Sequence, residues 1–203
     1  MNKKDIDIYN ERYNERLQIH GIKPETLGWG GGIERQNIRF KALSEIGIKN
    51  GDSILDVGCG FADMYVYLKQ IGWKGNYEGI DINSNLIEIA TNLHPDVKFQ
   101  NKDFLSSKIT SKYDWVLSSG IFNAQLLHED NMEYIKNMLK KMYQTSLKGV
   151  SSDFMSTYVD FQHPDAYHTN PSELLEFLKS EINTSQVIRM DYLQYEFCVY
   201  LKK

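Results

Sequence analysis

A doubly wound α/β fold, its sheet mostly parallel with helices on both faces and an antiparallel hairpin at the C-terminus, is predicted by three features of this sequence. From residue 53 onward, short apolar runs alternate with stretches of helical period. The first such run, Ser53-Ile54-Leu55-Asp56-Val57, passes into a glycine turn, Gly58-Cys59-Gly60, and then into a helical pattern. The last two runs, 186–192 and 195–201, are rich in β-formers and joined by almost nothing, so they pair as a hairpin.

The elements follow in order. Residues 4–20 place Ile6, Tyr9, Tyr13, Leu17 and His20 at spacings of three and four, the face of an amphipathic helix. The break Gly28-Trp29-Gly30-Gly31-Gly32 admits only a loop. Ile38, Ala42, Leu43 and Ile46 mark a second helix, closed near Gly47 and Gly51. Strand 53–57 leads to a helix over 61–71, and strand 76–81 to a helix that Ser84 caps and that runs to about residue 93. A third strand spans 97–100 and a fourth 114–118, before a long helix over 131–147. A fifth strand spans 150–157, and a helix over 171–182 opens with Pro171 in its first turn. No internal repeat, low-complexity tract or interdomain linker interrupts this order.

Composition narrows the function. At 203 residues, 41% hydrophobic and 12% aromatic, the chain suits one packed α/β domain. A net charge of −4 and the absence of a dense Lys/Arg block argue against a nucleic-acid binder; Lys140-Lys141 and Lys202-Lys203 are short pairs at element ends. No apolar stretch approaches the roughly 20 residues that cross a bilayer. The polar N-terminal residues lack the apolar centre of a signal peptide, so the expectation is a cytoplasmic protein that does not engage membranes. Cys59 and Cys198 have no cysteine at metal-ligand spacing and are expected to be free buried thiols.

In a doubly wound sheet, ligands bind beyond the carboxyl ends of the strands where strand order reverses. Gly58 and Gly60 let a ligand approach the backbone, and the following helix start favours an anionic group. Asp81 ends the second strand, where a carboxylate accepts from both ribose hydroxyls. Asp103-Phe104 follows the third, where an acid meets an adenine amino group and an aromatic packs on the ring. A lone GxG is equally a structural turn, and each acid alone is equally a surface residue. Their order at successive strand ends favours a nucleoside-containing ligand. A dinucleotide would fit less well: Asp63 stands where the third glycine of GxGxxG belongs, and Asp56 adds a second acid. Negative charge there suits an ammonium and a sulfonium better than two phosphates.

Asp56-Val-Gly-Cys-Gly60, the Gly-Ile-Asp ending at Asp81, Lys-Asp-Phe at Asp103 and Tyr-Asp-Trp-Val-Leu-Ser-Ser-Gly from Tyr113 resemble the successive motifs of class I S-adenosylmethionine-dependent methyltransferases. The likeness covers nearly the whole chain, and the chain is most similar to compact bacterial, Rossmann-like members acting on small molecules. The resemblance implies a seven-stranded sheet with its last strand antiparallel, and S-adenosyl-L-methionine as cofactor. It implies that Gly58 and Gly60 lie against the methionine part, Asp81 on the ribose, Asp103 and Phe104 at the adenine, that Ser119 lines the pocket, and that Asp56, Cys59 and Ile82 also bind the cofactor. In this family the residues before the first strand often cover the cofactor, so 1–50 is expected to form a helical lid on a core of 51–203. Tyr13, Trp29 and Arg39 would then close the site, the arginine on the methionine carboxylate; packing alone is the competing reading for Tyr9 and Tyr13.

The methyl acceptor is expected at the ends of the fourth and fifth strands. The segment 119–123 lacks the paired prolines and aromatic of exocyclic-amine methyltransferases, and no Pro-Cys nucleophile occurs. Residues 153–170 hold Asp153, Tyr158, His163, Tyr167 and His168. Asp153, His163, His168 and Tyr158 are the catalytic candidates, against an ordinary polar crossover loop. His128 is expected to cap or be solvated. Asn123, Asp153 and His163 have no spacing that recommends a metal, and none is expected. The leading expectation is methyl transfer to an oxygen or nitrogen of a small polar metabolite or a sugar- or nucleotide-linked precursor, by a monomer or homodimer. A non-catalytic S-adenosylmethionine-binding partner subunit and a nicotinamide-dependent oxidoreductase are the alternatives.

Overall fold

A computed structural model describes residues 1–182 and 185–203. Its helices are α1 (Lys3–His20), α2 (Gly32–Ser44), α3 (Asp63–Gln70), α4 (Ser84–Leu93), α5 (Asn131–Thr145) and α6 (Pro171–Phe177). Its strands are β1 (Ser53–Val57), β2 (Asn76–Asp81), β3 (Lys98–Asn101), β4 (Tyr113–Ser118), β5 (Ser146–Met155), β6 (Ser185–Arg189) and β7 (Glu196–Lys202). They form one seven-stranded sheet in the order β3-β2-β1-β4-β5-β7-β6. All neighbours are parallel except β7, which runs antiparallel to both β5 and β6. Strand order reverses between β1 and β4, which sets the crevice.

The two faces of the sheet are built by the period of two along each strand. Leu55, Val57 and Val116 point into one apolar cluster, with Ile135, Met138, Leu139 and Met142 of α5 and Leu174 of α6. Ile54, Trp115 and Leu117 point into the other, with Phe40 and Leu43 of α2 and Met64 and Leu68 of α3. Both faces being covered explains why β1 reads as an unbroken apolar run rather than an alternation. No helix among the described residues is long and apolar enough to cross a membrane.

Several boundaries differ from the sequence reading, each for a physical reason. Asn83, not Ser84, caps α4: its side-chain oxygen accepts from the N–H groups of Asn85 and Leu86. Thr145 runs directly into β5, which starts at Ser146 rather than residue 150, because Ser146 and Gly149 pair with β4 and Gly149 with β7 despite their weak β-propensity. The C-terminal strands are separated by residues 190–195, not almost nothing; Tyr195 adopts a left-handed φ of 69° that breaks strand geometry. Helix α6 ends at Phe177 and continues as a π turn, Leu178–Ile182. In α1 the buried residues are Asp5 and Tyr9 while His20 is exposed. Asp5 is held by the N–H groups of Leu127 and His128, so a polar anchor, not an apolar stripe, seats the start of this helix. In α2 Ile38 faces solvent and Phe40 takes the core position expected of it.

Candidate functional site

The turn after β1 is left-handed at Gly58 (φ 77°) and Gly60 (φ 53°). The N–H groups of Gly58 and Cys59 donate to the Ile80 carbonyl, at 2.7 and 3.1 Å, which fastens the turn to β2. Asp81 completes the joint: one carboxylate oxygen accepts from Gly60 N–H at 3.0 Å and the other from Asn83 N–H at 2.9 Å. A Cβ built on Gly58 would lie 2.2 Å from the Ile121 Cγ2, and one on Gly120 would lie 2.6 Å from the Trp29 ring. Glycine is therefore required twice at both positions, by backbone conformation and by close approach.

A cavity of about 120 Å³ opens at this reversal point. Of the residues expected at a cofactor, Tyr13, Trp29, Gly58, Gly60, Asp81, Ile82, Asp103, Phe104 and Ser119 line it. Apolar side chains of Leu86 and Met138 and the Tyr134 ring complete its wall, and Met1 reaches in from the N-terminus. Burial raises the pKa of Asp81 and of the Tyr13 hydroxyl. Both Asp103 oxygens are engaged, one by the Met1 ammonium at 3.1 Å and the other by Leu105 N–H at 3.0 Å.

Three residues expected beside the cofactor stand elsewhere. Asp56 points under the sheet and accepts a hydrogen bond from the buried Tyr77 hydroxyl; burial raises its pKa to about 7. Cys59 is buried away from the cavity, and a Cβ built on Gly79 would fall 2.7 Å from its sulfur. Period-two alternation and the turn geometry send both side chains to the opposite side from the Gly58 and Gly60 backbone. Arg39 does not reach this cavity, because Glu196 at the start of β7 holds it through two nitrogens and Trp29 stacks on it at 4.6 Å.

A second chamber of about 360 Å³ adjoins the first, and the two share Tyr9, Tyr13, Leu27, Trp29, Gly120 and Ala124. Its own walls include Arg12, Arg16, Arg39, Asn123, Met155, His163 and Asp165. His163 is thus the catalytic candidate that faces a cavity. Its Nδ1 accepts from Asp165 N–H at 3.2 Å, so the neutral ring carries its hydrogen on Nε2.

The other three candidates lie off both cavities. Asp153 is buried behind the loop following β4, where it accepts from the Ser119 hydroxyl and Gly120 N–H, both at 2.6 Å. Burial lifts its pKa to about 6 against the opposing pull of Arg39 and these two donors. His168 is buried, with Nδ1 2.8 Å from the Ser156 carbonyl oxygen. Tyr158 faces solvent and shares a hydrogen bond with Ser172. Residues 157–170 fold back beside the end of β5, so two of its polar side chains turn away from the crevice. Tyr167 packs partly buried against the core, and His128 is exposed, its backbone held by Asp5 and Asn2. Among the described residues, no group of three His, Cys, Asp or Glu is placed to hold a metal.

Sequence reasoning passed over Arg12 and Arg16, although a signal was present. Residues 9–16 read Tyr-Asn-Glu-Arg twice in tandem, a short repeat that escapes a search on the scale of domains. A four-residue repeat on a helix returns each residue type to nearly the same face. Tyr9, Tyr13, Arg12 and Arg16 face the chambers. The Asn14 side chain accepts from the amides of Asn83 and Asn85, at 3.1 and 2.9 Å, and Glu11 and Glu15 face solvent. Leu27 was also unforeseen; it packs on Gly60, where an added Cβ would meet it at 3.0 Å.

Known proteins resemble this chain in sequence and in fold. A family model described as a methyltransferase domain matches residues 48–178. A provisionally assigned methyltransferase of Mycobacterium tuberculosis is 30% identical over 159 residues, covering 74% of this chain and 93% of that protein. A similarly assigned protein of Invertebrate iridescent virus 6 is 29% identical over 98 residues, and the match spans only 37% of the viral protein. Among solved structures, magnesium protoporphyrin IX methyltransferase of Synechocystis with bound S-adenosylhomocysteine superposes with a TM-score of 0.68 at 15% identity, over 98% of this chain and all of that one. A methyltransferase of Aquifex aeolicus superposes at 0.59 with 20% identity, over 83% and 92% of the two chains. At these identities the structural likeness is one of fold.

Proposed function

Starting from the chain's membership of the class I S-adenosylmethionine-dependent methyltransferases, we propose that it methylates an oxygen or nitrogen of a small polar metabolite, or of a sugar- or nucleotide-linked precursor, bound in the second chamber. The activity is methyl transfer and S-adenosylmethionine is its cofactor. The observation that carries the acceptor reading is that the two cavities adjoin, with Tyr9, Tyr13, Leu27, Trp29, Gly120 and Ala124 in the walls of both. We place the donor's methyl end at this shared wall, facing the second cavity.

The first cavity fits the cofactor in chemistry. A buried carboxylate, Asp81, stands on its wall beside an apolar slot of Ile82, Leu86, Phe104 and Met138, and a glycine turn forms its floor. When bound, S-adenosylmethionine supplies a methyl group on a positively charged sulfur, which leaves with the bonding electrons as the methyl passes to the acceptor. We assign Asp81 to the ribose hydroxyls, Phe104 to the adenine plane, and Gly58 and Gly60 to the methionine portion. Asp103 serves the adenine amino group once the Met1 ammonium yields its oxygen. Residues 1–50 act as the lid, with Leu27 and Trp29 excluding water above Gly60 and Gly120. Orientation of a nucleophile within such walls is worth about 7–11 kcal/mol, more than a base's roughly 10²–10⁴-fold, so positioning dominates. His163, with hydrogen on Nε2, donates to the acceptor, and the proton of the attacking oxygen or nitrogen passes to solvent.

The test is production of S-adenosylhomocysteine by purified protein given S-adenosylmethionine and a fractionated small-molecule extract. Turnover confined to low-mass polar fractions is expected. Turnover that follows protein or nucleic-acid fractions would overturn the acceptor class, and His163→Ala should raise KM for the acceptor more than it lowers kcat.

A further inference from the structure

We propose that the second chamber is built for an anionic acceptor, one whose carboxylate or phosphate group is held by Arg12, Arg16 and Arg39. This rests on the chamber being the acceptor site, and adds the charge of the molecule that enters it.

The chain carries a net charge of −4, yet three guanidiniums line this one chamber and Asp165 is the sole carboxylate in its wall. Arg12 and Arg16 are half-buried and lie one helical turn apart, a like-charge spacing that costs a few tenths of a kcal/mol in an isolated helix. Among the described residues neither has a carboxylate partner: the ion pairs on α1 involve Met1 with Asp103 and Lys3 with Asp7. Instead each guanidinium is propped on an aromatic ring, Arg12 over Tyr9 at 5.7 Å and Arg16 over Tyr13 at 6.0 Å. Stacking holds a guanidinium in place while leaving its N–H edge free to bind a planar anion.

Arg39 supplies an independent observation. Its side chain is 8% exposed, and its Nε and Nη2 are taken by Glu196. Its third nitrogen, Nη1, is buried with no hydrogen-bond partner among the described residues. A buried unpaired donor on a charged group is costly, and an acidic ligand in the adjoining chamber removes that cost. Glu196 cannot neutralise the group fully, since Arg35 shares the same carboxylate at 3.0 Å. The remaining nearby acid, Asp153, is committed behind the wall to Ser119 and Gly120. His163 adds a donor to the same lining.

Glu196 already holds Arg39, whereas Arg12 and Arg16 line only the second chamber and have no carboxylate partner among the described residues. The experiment therefore turns on those two. Protein saturated with S-adenosylhomocysteine is titrated calorimetrically with benzoate, phenyl phosphate and the neutral isostere benzamide. At least one anion should bind saturably and about tenfold or more tighter than benzamide, and the better of the two anions identifies carboxylate or phosphate. Arg12→Gln/Arg16→Gln should weaken that anion about tenfold or more while S-adenosylhomocysteine affinity and the urea midpoint hold. The double lysine variant, which keeps the charge but loses the stacked guanidinium fork, should bind that anion with an affinity between those of the Gln variant and the unmodified protein. Equal binding of benzamide, or unchanged anion affinity in the Gln variant, would overturn the anionic acceptor alone. Failure of the unmodified protein to bind S-adenosylhomocysteine would overturn the donor site, and this inference with it.

Discussion

Asp153 offers the sharpest test of the site, because its expected role and its observed position differ. A catalytic carboxylate must touch the acceptor, but this one lies behind the wall with its two oxygens on the Ser119 hydroxyl and Gly120 N–H. We propose that it is a positioning residue for the Ser119–Gly120 loop. Asp153→Ala leaves the Gly120 N–H without its acceptor, a loss of about 1–3 kcal/mol, and frees the Ser119–Gly120 backbone. Stability should fall by that amount in urea unfolding at pH 4, where the buried carboxyl is protonated in the folded protein, and S-adenosylhomocysteine affinity should fall about tenfold or more. Asp153→Asn keeps an oxygen for Gly120 N–H and removes the buried charge. Its effects on affinity and kcat should stay within about threefold, equivalent to some 0.7 kcal/mol. The pH dependence gives an independent reading. Burial raises this carboxyl from 3.8 to about 6 in the folded protein, so its stabilising contribution is complete below 3.8 and is lost as pH rises through about 6. A shift of about two units corresponds to roughly 3 kcal/mol, so the Asn variant should gain on the unmodified protein by up to that amount between pH 4 and pH 7. Equal loss of kcat in the Asn and Ala variants, with cofactor affinity preserved in both, would refute this reasoning and return the carboxylate to the chemistry.

Three further outcomes follow from the same geometry. Asp81→Ala should weaken S-adenosylmethionine binding by about 1.5–3 kcal/mol, the worth of hydrogen bonds to a charged group; calorimetry showing unchanged affinity would remove Asp81 from the ribose. Asp56→Asn should flatten the stability profile, since burial raises Asp56 from 3.8 to about 7 and the unmodified protein loses stability as pH rises through that value. A pH series of urea midpoints over pH 4–8 that runs parallel in the two proteins would contradict it. Gly58→Ala should cost about 1–2 kcal/mol for the left-handed backbone plus about 1–3 kcal/mol for overpacking against Ile121, and only the first part should remain in an Ile121→Ala background. A cycle without coupling would show that Ile121 is not what crowds the turn.

The sequence by itself determined the sheet and the family. Strands 53–57 and 76–81 were legible to the residue, because both are buried on two faces and bounded by a glycine turn and by Asp81, signals that are local in the chain. The family followed from motifs at successive strand ends for the same reason. What the sequence could not decide was which side of the wall a polar residue occupies. Asp56 and Cys59 lie within the glycine motif yet face away from the cavity, and Asp153, His168 and Tyr158 share the segment with His163 yet do not reach the chamber. Strand β5 began four residues early because β4 and β7 supplied partners that propensity does not count. The second chamber is tertiary throughout: α1, the turn around Trp29, α2, the loop after β4, the end of β5 and the segment around His163 meet there from separate stretches of chain. The tandem Tyr-Asn-Glu-Arg repeat carried half of that arrangement in plain view. Only the packing of α1 across the crevice, fixed by Asp5 and Asn14, turned the repeat into two arginines beside the third on α2. Local periodicity assigns a residue to a helix face; the docking of that helix decides what the face meets.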